Sequence, residues 1–208
     1  MQKKHWKLKM NNTRIKKILR LLCLFITCCV TCQAASDVND SVRTSVDTVK
    51  NKPMVFPVPP RGLNRLFYLQ RTTNTNAIIY DLNVDKETGI LNKDQPIHVY
   101  WMLFAEGGKT PDLTYIQRKF AYGVHVKALG PDKYDIRIVS YKKFPLTLMK
   151  GADGKYHIFA KVLGKQIVLN RIFINIAGGS IWSPNVVYVE MKGTDPSTGK
   201  EVTERFKP

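Results

Sequence analysis

Ile97-His-Val-Tyr-Trp-Met-Leu-Phe104 is the stretch on which the fold turns. Its β-branched and aromatic residues favour a strand. In a strand, successive side chains point to opposite faces. Ile97, Val99, Trp101 and Leu103 then form one wholly apolar row, which reads as core. His98, Tyr100 and Met102 line the other face.

The same signal recurs on both sides of this segment. Residues 66–70 and 77–82 read as strands joined by the turn-rich Thr72-Thr-Asn-Thr-Asn76. Residues 123–129, 134–141, 146–150, 156–163, 165–176 and 186–192 continue the series, with a tight turn at Gly164. A short last strand at 201–206 follows the turn 194–199. Tyr134, Ile136 and Ile138 alternate with Asp135 and Arg137, and Val124 and Val126 with His125 and Lys127. One face is therefore buried and one wet, as in antiparallel sheets. One short helix is expected at 110–120, with Thr110 as N-cap, Pro111 at the first helical position and Asp112 at the positive helix end. The expected fold is mainly β: an antiparallel β-sandwich, or a barrel, of about nine strands with one short helix.

Three segments precede or make up this unit: a signal peptide at 1–34, a flexible Pro-rich tether at 35–60 and a β-rich domain at 61–208. Basic Arg14-Ile-Lys-Lys-Ile-Leu-Arg20 leads into apolar LLCLFITCCV, residues 21–30. That run is short for a permanent membrane span. Cys32-Gln33-Ala34 offers a small-x-small cleavage site. Lipidation is the alternative, although Cys29 and Cys32 both lack the small residue before them that an acceptor cysteine needs; an uncleaved anchor is another. Met10 would begin a signal of more usual length than Met1 does. All four cysteines lie inside the signal, so the mature domain has no disulfide and no cysteine ligand. The net charge is +17. Eight basic residues and no acid fall within 1–34, leaving 25 basic against 16 acidic residues, a net charge of +9. The remaining excess is spread in ones and twos and reads as a solvated surface rather than a nucleic-acid interface.

At Phe67-Tyr-Leu-Gln-Arg-Thr-Thr-Asn-Thr-Asn-Ala-Ile-Ile-Tyr-Asp-Leu-Asn83, and again at His98-Val-Tyr-Trp-Met102, the chain resembles a domain-of-unknown-function family of uncharacterised exported proteins from Bacteroidetes-type bacteria. The resemblance spans about residues 63–206. It implies the bacterial cell envelope and says nothing about chemistry; the expected location is exported, periplasmic or cell-envelope associated.

No catalytic motif stands out. His98, His125 and His157 lie on separate strands without ligand spacing. Gly178-Gly179-Ser180-Ile181-Trp182 has its glycines misplaced for a nucleophile elbow. Acids sit mostly in turns rather than facing each other as a glycosidase pair. No metal or other cofactor is expected. The binding candidates are His98, Tyr100, Arg71 and Trp182, with Asn74 and Asn76 in the neighbouring loop. Together they suggest a shallow groove for a sugar or peptide. The plainer reading is that Tyr100 packs under the helix at 113–120. The function expected is a non-catalytic binding or structural module of the bacterial cell envelope. Its partner would be a glycan, peptide or protein, and it would touch the membrane only through the signal or lipidation. The alternatives are an envelope hydrolase acting on glycans, or a small-ligand carrier if the sheet closes into a barrel.

Overall fold

The computed structural model describes residues 54–180 and 183–208. The expected signal peptide, the expected tether up to residue 53 and Trp182 lie outside the described residues. Among the described residues ten strands join in one sheet: β1 (Arg65–Arg71), β2 (Asn74–Leu82), β3 (Ile97–Met102), β4 (Val124–Gly130), β5 (Lys133–Ile138), β6 (Leu146–Lys150), β7 (Tyr156–Val162), β8 (Lys165–Gly179), β9 (Pro184–Thr194) and β10 (Glu201–Phe206). Their order is β3-β2-β1-β8-β7-β6-β5-β4, with β9 on the other edge of β8 and β10 beside β9.

The architecture is a curled half-barrel with a mixed sheet, not the antiparallel sandwich that the alternation suggests. The cause lies in β8, a strand of 15 residues. Val162–Lys165 closes an antiparallel hairpin, so β7 pairs with residues 165–168 of β8. Beyond a bulge at Leu169/Arg171, the same edge takes β1 in parallel, from Tyr68↔Arg171 to Arg71↔Ile174. One strand thus carries two arms on one edge. Bulges bend a strand and increase its twist, which suits the curl of this sheet. Gly193 faces the bend, where a Cβ would stand 2.3 Å from the Val168 carbonyl oxygen.

The core fills the inside of the curl. Phe67, Leu69, Ile78, Tyr80, Ile97, Val99 and Trp101 of the β1–β3 arm join Tyr134, Ile136, Leu146, Leu148, Ile158, Ala160 and Val162 of the β5–β7 arm. Phe67 and Tyr80 stack at 4.2 Å between centroids.

The helical segment differs from the one expected at 110–120. Residues 110–114 are not helical, and Pro111 accepts the Trp101 N–H through its carbonyl at 2.9 Å. Asp112 bridges to Tyr100, so this segment covers the β3 edge. The helix α1 (Tyr115–Gln117) begins at Thr114, whose side chain and that of Gln117 close a reciprocal capping box. It continues as a single π-type turn, Arg118–Tyr122. Thr114-x-x-Gln117 was the start signal; Thr110-Pro111 resembled one because proline tolerates a helix start and a sheet edge alike.

Candidate functional site

The site grows from a cross-strand row on the outer face of the β1–β3 arm. Arg65 lies opposite Asp81, and Asp81 opposite His98. Arg65 Nε donates to Asp81 Oδ1 at 2.6 Å, and the Tyr100 hydroxyl donates to Asp81 Oδ2 at 2.6 Å. Both carboxylate oxygens are thereby engaged, in a setting where Arg65 and Asp81 are only 13% and 18% exposed. Charge-assisted bonds of this kind are short and strong. Burial, and then the bond to Asp81, push the Tyr100 phenol above its ordinary pKa, against the opposing charge of Arg65. Tyr100 therefore stays a donor at neutral pH.

His98 stands two residues from Tyr100 on the same face, and their rings stack at 5.0 Å. His98 Nε2 meets Asp112 Oδ1 at 2.8 Å, an exposed pair. Beside them is an open depression of about 310 Å³, whose polar lining includes Asn64, Asp81, Asn83, Lys86, His98 and Tyr100. Asn83 is fixed by donating to the Gln95 carbonyl at 2.8 Å. The depression thus offers a stacked aromatic pair with amide, ammonium and carboxylate groups around it.

Farther along the same face, residues 54–60, expected to belong to the tether, pack against the sheet. Phe56 meets Phe173 edge-on at 4.9 Å, and buried Gln70 donates to the Pro57 carbonyl at 2.7 Å while accepting from Arg171. The outer face is therefore covered at Gln70 and Phe173, while the depression beside Asp81 is open.

The structure brings together only two of the residues selected from sequence, His98 and Tyr100. Arg71 lies on the inner face, its guanidinium 6.0 Å from the centre of the Tyr122 ring. Asn74 accepts the Asn76 N–H in the β1–β2 hairpin, and Asn76 accepts the Phe104 N–H. Both asparagines have structural partners at the far end of β2 from Asp81. Trp182 lies outside the described residues. The single groove formed from all of these is not assembled, because Arg71 alternates in phase with Phe67 and Leu69 on the inner face while His98 and Tyr100 lie on the outer one. Nor does Tyr100 pack under the helix: Trp101 does, donating through Nε1 to Gln117 and meeting Tyr122 edge-on. The residues missed were Arg65, Asp81 and Asp112. Asp81 had a readable signal, an acid inside the apolar run Ala77-Ile-Ile-Tyr-Asp-Leu82. Its partners depend on register.

Among the described residues no three His, Cys, Asp or Glu side chains converge on a common point. No curated protein and no solved structure matches the chain. The model of a domain of unknown function (DUF4833) matches residues 67–205, well over half of the sequence, and the chain belongs to that family.

Proposed function

We propose that this DUF4833 domain is an exported, non-catalytic binding module of the bacterial cell envelope, and that the depression beside Asp81 takes a hydroxyl-rich ligand of the glycan class. The carrying observation is the Arg65–Asp81–Tyr100 chain with the His98 ring stacked on Tyr100. Polar groups held by one another present fixed acceptors and donors, and an aromatic pair supplies the apolar surface that a sugar ring needs. The acids nearest the depression are already partnered, Asp81 by Arg65 and Tyr100 and Asp112 by His98. That favours binding over general acid–base chemistry. Export rests on the basic, apolar, small-residue order of 14–34. A small-ligand carrier would need a closed barrel, and the β3 and β4 edges are not hydrogen-bonded to each other.

Titrating the purified protein against soluble envelope oligosaccharides tests the reading. Wild type should bind, and Tyr100→Ala and His98→Ala should each bind about tenfold more weakly or worse, the equivalent of about 1.4 kcal/mol. Unchanged affinity in both variants refutes the site, and cleavage of the oligosaccharide supports the hydrolase instead.

A further inference from the structure

Four arginines among the described residues are half-buried: Arg65, Arg71, Arg137 and Arg171. Three have a carboxylate. Arg65 pairs with Asp81, Arg137 with Asp135 and Arg171 with Glu190. Arg71 has none, and its Nε is buried without an acceptor among the described residues. A guanidinium remains charged at any physiological pH, and a buried donor left unpaired is costly. The position is over-determined by its neighbours. Arg71 ends β1, lies beside Ile174 of β8 and stands over the ring of Tyr122. Tyr122 is itself fixed, because its carbonyl accepts the buried Tyr80 hydroxyl at 2.8 Å and its ring meets Trp101. Ile174 and Tyr122 are both partly buried, packed against the inner core.

We propose that Arg71 anchors an oxyanion site on the inner side of the sheet, and that the apolar rim of Tyr122 and Ile174 selects a carboxylate carried on an apolar body. A planar guanidinium with free N–H groups matches a carboxylate bidentately. The aromatic ring and the aliphatic side chain beside it would cover the ligand's body, where a free inorganic anion finds only the charge. This site is separate from the depression at Asp81, which lies on the other face.

The test is a titration of the protein with benzoate and, in parallel, inorganic phosphate, followed on the arginine Nε–H signals by NMR. Arg71→Lys identifies the Arg71 signal by its loss. Benzoate should move that signal in the wild type and bind more tightly than phosphate. Arg71→Gln, with its fold checked by near-ultraviolet circular dichroism, should weaken benzoate about ten- to a hundredfold. Tyr100→Ala should leave benzoate affinity unchanged even if it abolishes oligosaccharide binding. A wild-type Arg71 signal that does not respond to benzoate overturns the proposal. Phosphate binding as tightly as benzoate overturns the carboxylate assignment, and undiminished binding by folded Arg71→Gln overturns the anchor.

Discussion

The two faces of the β1–β3 arm are built from the same strands and obey opposite rules. On the inner face, Phe67, Leu69, Ile78, Tyr80, Ile97, Val99 and Trp101 meet the second arm across a dry core. On the outer face, Ala77, Ile79 and Met102 form only a small cluster, flanked by Tyr68, Tyr100 and Phe104. The rest of that face is occupied by Arg65, Asp81 and His98 and, under residues 54–60, by Gln70 with its two partners. Area removed from water holds the first face, and completed hydrogen bonds and ion pairs hold the second. The inner face should therefore answer to changes in volume and the outer to the loss of a partner.

Trp101→Ala gives the largest effect expected. Removing a buried Trp typically costs about 3–5 kcal/mol, a large part of the roughly 5–15 kcal/mol by which a domain is stable. The variant should be insoluble or largely unfolded, while Tyr100→Ala stays folded; thermal melts of the pair decide. The reverse order would invert the two faces, since a one-residue slip exchanges them. Asp81→Ala comes next, at about 1–3 kcal/mol, because it strands Arg65 and the Tyr100 hydroxyl together. Urea denaturation should show the loss, and a neutral result would mean that solvent already satisfies Arg65.

Tyr100→Phe should cost about 0.5–1.5 kcal/mol at pH 7, the worth of one hydrogen bond. It should also alter the alkaline limb. The folded phenol holds its proton above the ordinary value near 10, through burial and then the bond to Asp81. Its contribution is therefore complete below about pH 10, where even the unfolded side chain keeps its proton, and is lost as pH rises through the folded value. Burial raises Tyr68, Tyr80 and Tyr122 in the same direction. Absorbance at high pH should show delayed tyrosine ionisation in the native protein, and one fewer late-titrating group in Tyr100→Phe. The smallest effect belongs to His98→Ala. Its pair with Asp112 is exposed, so the change in stability should stay within about 0.5 kcal/mol, while oligosaccharide affinity falls. A large destabilisation would make His98 a structural residue instead.

Much of this contrast is legible from Ile97-His-Val-Tyr-Trp-Met-Leu-Phe104 alone. Period-2 alternation reports which side chains share a face, and both the Trp101 row and the His98–Tyr100 pair follow from it. It reports neither a strand's partner nor its direction. The parallel pairing of β1 with β8 joins Arg71 to Ile174 across about a hundred residues, and no local pattern carries that distance. Arg71 shows both sides of this at a single residue. Alternation with Phe67 and Leu69 puts it on the inner face, but the Ile174 and Tyr122 that stand beside it there come from distant parts of the chain. The amino-acid sequence by itself determined the mainly β character, the face assignment of β3, the cysteine-free region after residue 34 and the turn positions, because these depend on local sterics and on the polarity of neighbouring residues. Only the tertiary structure decided that one bulged strand supports two arms, that Asp81 collects Arg65 and Tyr100, and that Arg71 meets no carboxylate among the described residues, because long-range register determines which side chains meet.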